Sequence, residues 1–202
     1  MKTSNKIEYI KNWIFKYCTS MPKAATSLVV GVSGGIDSSV VSTLCAMTKI
    51  KTFAVSMPIK QNQEQHTLSL KHQQWLKKNY KNIATPVISL DNVFKDFQVT
   101  LSQFDSQLGF ANLRSRLRMT ALYQIAQSNN GIVVGTGNKI EDFGIGFYTK
   151  YGDGGVDIAP IADCTKSDIW EMGKELNILE DIINAKPTDG LWDDDRTDEH
   201  QL

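Results

Sequence analysis

Short apolar runs at residues 27–32, 52–56, 86–90 and 131–134 alternate with longer stretches whose apolar residues recur at helical spacing. No other feature constrains the chain as strongly. Strands joined through helices form right-handed βαβ units, and the parallel sheet they build must be covered by helices on both faces. The fold class is therefore α/β. Helices are expected at the start of the chain, with Ile7, Ile10, Trp13, Ile14 and Tyr17 on one stripe, and over residues 38–47, 63–79, 93–104, 112–128 and 165–176. In the 63–79 segment Leu68, Leu70, Trp75 and Leu76 mark the buried face; in 112–128 it is Leu113, Leu117, Ala121, Leu122 and Ile125. Residues 141–160 follow neither period and are rich in glycine, which reads as a mobile loop that orders on ligand.

At 202 residues the chain is about 1.3 times a typical domain length, so residues 1–202 are expected to form one domain. An apolar content of 41% excludes disordered and low-complexity classes. No apolar run approaches the roughly 18 residues of a membrane span, and the first 13 residues lack the apolar stretch of a signal peptide, so a cytoplasmic protein with no membrane partner is expected. Cys18, Cys45 and Cys164 are odd in number and lack C-x-x-C spacing, which favours buried thiols over disulfides or a zinc site. Six of the 22 acids lie beyond Lys186, opposed only by Arg196, which leaves a net charge of +5 on the rest. That field suits a small anion and is too scattered for nucleic acid.

In a parallel sheet ligands sit beyond the carboxyl ends of the strands, and two glycine turns fall there. The first comprises Gly31, Val32, Ser33, Gly34, Gly35, Ile36, Asp37, Ser38 and Ser39. Its glycines let successive N–H groups and a helix N-terminus face one point, an anion cradle. It has neither the lysine of a Walker A loop nor the G-x-G-x-x-G spacing of a dinucleotide fingerprint. Asp37 is the informative residue, because a carboxylate there repels phosphate. Either it caps the following helix or a divalent cation bridges it to the phosphates; the surrounding serines and glycines favour the metal.

The S-G-G-I-D-S-S run resembles the pyrophosphate-binding loop of the ATP pyrophosphatases, the PP-loop superfamily. The second turn and its continuation, Gly135-Thr136-Gly137-Asn138-Lys139-Ile140-Glu141-Asp142 and then F-Y-T-K-Y-G-D-G-G-V-D over residues 147–157, resemble the NAD synthetases, as do Asn112, Arg116, Arg118 and Met119. The resemblance runs from the first strand to about Gln201. It implies a Rossmann-like, adenine nucleotide alpha hydrolase-like fold. The implied reaction has ATP adenylate the nicotinate carboxylate of deamido-NAD, after which ammonia displaces AMP to give NAD. Carried over, Gly31, Ser33, Gly34, Gly35, Asp37 and Ser38 hold the ATP phosphates with Thr136, Lys166 and Thr188. Asp37 and Glu141 bind magnesium, and Arg116, Lys150 and Asp157 contact deamido-NAD. Asp37, Lys150 and Lys166 then serve the chemistry, with Asp153 as the carboxylate that attracts ammonium. A homodimer is also implied, with the first helix and the 112–128 helix as contacts.

Plainer readings stand beside these. Arg114, Arg116 and Arg118 fit a solvated helix face. Lys150 and Lys166 read as surface lysines, and Asp153 and Asp157 as turn residues. Thr188 beside Pro187 reads as loop punctuation, and His66, His72 and His200 as exposed. The family usually carries a further C-terminal segment with a His-Lys pair that this sequence lacks, so either the chain is truncated or substrate binding differs. The interval from Glu141 to Lys150 is one residue longer than in many relatives. No amidase domain accompanies the chain, so ammonia is the expected nitrogen source. The alternatives are another adenylating ATP pyrophosphatase and an ATP-binding module without turnover.

Overall fold

The computed structural model describes residues 1–185; Thr188, His200 and the acidic end lie outside the described residues. Four parallel strands, β1 (Ser27–Gly31), β2 (Lys51–Val55), β3 (Ile83–Ala84) and β4 (Gly131–Val133), pair in the order β3-β2-β1-β4. β1 is central, with Val29 opposite Phe53 on one side and Val133 on the other. The alternation of a strand sends Leu28 and Val30 to one face and Val29 to the other. The first face packs under α1 (Thr3–Ser20) and α2 (Ile36–Met47), and the second under residues of α4 (Asp91–Thr100) and α5 (Gln107–Ser128). This is the expected α/β layering.

Several expectations need correction. The apolar run at 86–90 predicts the third strand, yet the strand is Ile83–Ala84 and Val87 makes only an isolated bridge to Ser56. Pro86 has no N–H to give a ladder; its carbonyl still accepts from Ser56 N, and Ile88 N donates to Ser56 O. The buried stripe of α1 is Ile7, Ile10, Ile14 and Cys18. Trp13 and Tyr17 lean together at its margin, 5.8 Å apart, and are partly exposed. Residues 141–160 are not structureless, because Lys139–Ile145 forms a π-helical segment and Thr149 to Gly155 is a run of hydrogen-bonded turns.

α3 (Gln63–Asn79) buries polar side chains: Ser69, His72, Gln73 and, with them, Leu76. Of the four residues expected on its inner face only Leu76 is fully buried. Each of the three polar side chains finds at least one partner, although His72 Nδ1 is left without one among the described residues. Ser69 Oγ meets Ser56 Oγ at 3.0 Å, His72 Nε2 meets Ser42 Oγ at 2.9 Å, and Gln73 Nε2 donates to Ala54 O at 2.7 Å. His72 is thus a core histidine, contrary to the exposed reading. Arg114 is also buried, with its guanidinium over the Phe94 ring at 5.0 Å, so the solvated-face reading fails for it. α6 (Lys166–Glu175) begins with a complete capping box between Thr165 and Asp168, and Asp168 also accepts from Lys6 of α1. α7 (Glu180–Ile183) closes the described chain, and Cys18, Cys45 and Cys164 are all buried free thiols.

Burial holds the pKa of His72 down at about 4, below its ordinary 6.5. The neutral ring therefore contributes fully above about pH 6.5, and stability falls as the unfolded chain takes up its proton below that. Urea titrations should show His72 costing the fold roughly 2 kcal/mol between about pH 7.5 and about pH 5. His72→Gln should remove that part of the pH dependence, and an unchanged slope would contradict this account.

Candidate active site

A cavity of 530 Å³ opens where β1, β2 and β4 end, lined by Gly31, Val55, Val134 and the two glycine turns. Its volume is that of an ordinary small-molecule site. The first turn is built by its own serines. Ser33 Oγ lies 3.1 Å from Ser38 Oγ and accepts from Gly35 N, while Ser38 Oγ and Ser39 Oγ both donate to Gly35 O. Gly34 has φ +99°, and a Cβ there would stand 2.5 Å from the Gln65 carbonyl of α3. Both the backbone conformation and the close approach require glycine. The first-turn N–H groups of α2, which have no helical acceptors, border the cavity with residues 34–38.

Asp37 does not cap α2, whose N-cap Gly35 has no side-chain cap bond. Its carboxylate turns to Lys166 of α6 and Asn138 of the second turn. Lys166 Nζ donates to Asp37 Oδ2 at 2.7 Å and to Glu141 Oε1 at 2.9 Å. Asn138, fully buried, donates from Nδ2 to Asp37 Oδ1 at 3.1 Å and accepts at Oδ1 from Ile140 N and Glu141 N. One amide side chain therefore fixes both carboxylate-bearing elements. Burial pushes the Asp37 carboxyl above its ordinary range, opposed by the Lys166 charge. Burial alone would lower Lys166, but Asp37 and Glu141 hold its ammonium in the charged form, above the usual lysine value. Asp142 also lines the cavity; burial and then the charges of Asp153, Glu141 and Asp37 push its carboxyl up to about 6. Its side chain crowds Gly137, where any Cβ would collide with it.

The loop after the π-helical segment is latched to α5. Asp153 Oδ1 accepts from Ser115 Oγ at 2.7 Å and from Thr149 N at 2.9 Å, and Asp153 N donates to Ser115 Oγ at 2.8 Å. Thr149 Oγ1 donates to Asn112 Oδ1 at 2.7 Å. Gly152 packs on Ser115 too tightly for a side chain. Asp153 and Thr136 border the cavity. Arg116 and Lys150 do not line it: Arg116 Nε donates to Lys150 O at 3.1 Å, and the Lys150 ammonium lies over the exposed Tyr151 ring. Asp157 accepts from Tyr123 Oη and from Val133 N at the edge of β4.

The family model described as NAD synthase matches residues 6–202. The chain belongs to the NAD synthase family. The NH(3)-dependent NAD(+) synthetase of Carboxydothermus hydrogenoformans is 36% identical over 202 residues, covering 98% of this chain and 79% of that relative. Among solved structures, NMN synthetase from Francisella tularensis superposes with a TM-score of 0.91 at 34% identity, covering 100% of this chain and 81% of that one. NH3-dependent NAD synthetase from Campylobacter jejuni, solved with a nitrate ion, gives 0.81 at 29% identity, covering 91% and 77%.

Within this NAD synthase fold, Asp37, Glu141 and Lys166 meet at one point, while Arg116 holds the Lys150 backbone carbonyl outside the cavity. Reading the sequence missed Asn138, Ser115 and Asp142 as parts of the site. Asn138 carries a detectable signal, an asparagine two and three residues before the N–H groups it caps. Ser115 on a long helix carries none.

Proposed function

We propose that the chain is an ammonia-dependent NAD synthetase. The observation that carries this is the convergence of Asp37, Glu141 and Lys166 at the mouth of the Ser33–Ser38 cradle. In the first step a nicotinate carboxylate oxygen of deamido-NAD attacks the α-phosphorus of ATP, and the bond to pyrophosphate breaks. In the second, ammonia attacks the acyl carbon and AMP leaves as the amide forms. The first step brings two anions together, so catalysis rests on offsetting charge. The Gly31, Ser33, Gly34, Gly35 and Ser38 turn, with Thr136, holds the phosphates, and Lys166 supplies positive charge beside them. Thr188 belongs to the same ATP group by resemblance. Two carboxylates aimed at one locus form a hard-oxygen donor pair, so Asp37 and Glu141 fit magnesium. When bound, magnesium would neutralise phosphate charge.

Arg116, which holds the Lys150 carbonyl, and Lys150 itself supply positive charge outside the cavity for the anionic groups of deamido-NAD. Asp157 has carboxylate lone pairs left for a substrate contact beyond those given to Tyr123 and Val133. Asp153, with Asp142 nearby, makes the cavity wall negative where ammonium must collect. Free buried thiols fit a reducing, cytoplasmic setting, and among the described residues no helix is long and apolar enough to cross a membrane.

A second reading follows from the 0.91 TM-score to a protein named NMN synthetase. The same acyl chemistry would then act on nicotinate mononucleotide, which lacks the AMP half of deamido-NAD.

Purified chain given ATP, magnesium, ammonium and deamido-NAD should form NAD and one pyrophosphate per turnover; faster amide formation on the mononucleotide would select the second reading. Asp37→Asn should lower turnover about 100-fold or more, with the fold kept because Lys166 still pairs with Glu141. Pyrophosphate release that needs neither nicotinate acid, or full turnover by Asp37→Asn, would contradict the proposal.

The homodimer is part of the same proposal, with the contact surface placed on α4 and its neighbours rather than on the first helix and residues 112–128. Val93, Phe97, Val99, Phe104 and Leu108, on α4, the 3₁₀ turn Ser102–Phe104 and the start of α5, are exposed and apolar, and α4 buries only Phe94. A helix whose apolar face no described residue covers fits a partner surface, and Leu108 carries that surface to the cavity rim. Sedimentation equilibrium should return twice the monomer mass, and Phe97→Glu with Val99→Glu should return the monomer. A monomeric wild type would refute the dimer.

A further inference from the structure

We propose that Lys166 is a resident counter-cation: in the nucleotide-free enzyme its ammonium holds the seat between Asp37 and Glu141 that a divalent cation takes during the reaction, and it yields that seat only when phosphates arrive. The proposal rests on the reading of Asp37 and Glu141 as the metal-binding pair.

Asp37 Oδ2 and Glu141 Oε1 both accept from the one Nζ, at 2.7 and 2.9 Å. Magnesium binds carboxylate oxygens at about 2.1 Å, so an ion held by the same two oxygens would collide with the ammonium and be repelled by it. Occupancy by the two cations is mutually exclusive.

The position of Lys166 in its helix supports a role outside the helix. It is the first residue of α6, directly after the N-cap Thr165. A cation there opposes the helix macrodipole, and the Thr165–Asp168 capping box already completes the helix start. What holds the ammonium in place is the pair of carboxylates. They in turn need it, because Asp37 and Glu141 aim two negative charges at one locus while their side chains are only 17% and 27% exposed. The amine sits on a flexible four-carbon stem and borders the same cavity as Ser33, Gly34 and Gly35. A small swing carries it from the carboxylates to phosphates lying in the cradle.

Coupling follows from this geometry. A metal entering alone displaces the ammonium with no new anion to receive it. A metal entering with triphosphate provides that anion. Cation and nucleotide therefore bind with positive cooperativity, set by Lys166.

The test uses manganese as a paramagnetic probe, titrated by electron paramagnetic resonance into the full chain without nucleotide. Lys166→Met, which keeps the length and removes the charge, should bind one manganese at least tenfold more tightly than wild type. Adding Glu141→Gln to that variant should abolish the site. Equal affinity of wild type and Lys166→Met, with loss on Glu141→Gln, overturns the counter-cation role and leaves the metal pair standing. No manganese binding by a folded Lys166→Met overturns both. Lys166→Gln serves if the methionine variant does not fold. Wild type alone also decides: water-proton relaxation should show protein-bound manganese only once a non-hydrolysable ATP analogue is added, and a tight site before that overturns the proposal.

Discussion

A carboxylate largely withdrawn from water just past the end of a buried strand keeps its charge when a positive charge stands beside it. Asp37 is that carboxylate, and the way its charge is met organises the surrounding structure. Lys166 reaches it from α6, Glu141 shares the same ammonium from the π-helical segment, and Asn138 ties the two turns together. Elements more than 100 residues apart in sequence are thereby fixed around one point. Losing the Lys166 ammonium would leave two part-buried carboxylates facing each other, a costlier loss than either of its contacts contributes.

The sheet supplies the frame for this cluster. Because all four strands run parallel, both glycine turns emerge at the same edge, and the central strand delivers the turn that carries Asp37. α5 serves two surfaces. Its inner side packs on the sheet through Leu113, Leu117 and Leu122. Asn112, Ser115 and Arg116 hold the loop that carries Lys150 and Asp153. A part-buried polar latch of this kind fixes a loop in one register where apolar contact alone would let it slide.

Much of this was legible in the chain. The period-based reading found β1, α2, α3 and α6 to within two residues and the end of α5, which starts five residues before the expected 112, because their signals are local: valine-rich runs, glycine turns and a Thr-x-x-Asp cap. The resemblance carried by residues 33–39 and 147–157 named the family that residues 6–202 match. What escaped it depends on neighbours distant in sequence. His72 reads as a surface histidine until Ser42 is brought against it, and Arg114 reads as solvated until Phe94 lies beneath it. The strand near Pro86 is shorter than its apolar run because a residue without an N–H interrupts the ladder. Glycines at 152, 154 and 155 suggested looseness, yet Gly152 is demanded by tight packing on Ser115.

The account is tested most directly by a crystal structure of the chain with magnesium and a non-hydrolysable ATP analogue. The prediction is a triphosphate over the N–H groups of residues 33–38, an ion ligated by both Asp37 and Glu141, and the Lys166 amine moved onto a phosphate oxygen. A nucleotide bound elsewhere, or the Asp37–Lys166–Glu141 contacts intact beneath a bound triphosphate, would contradict it.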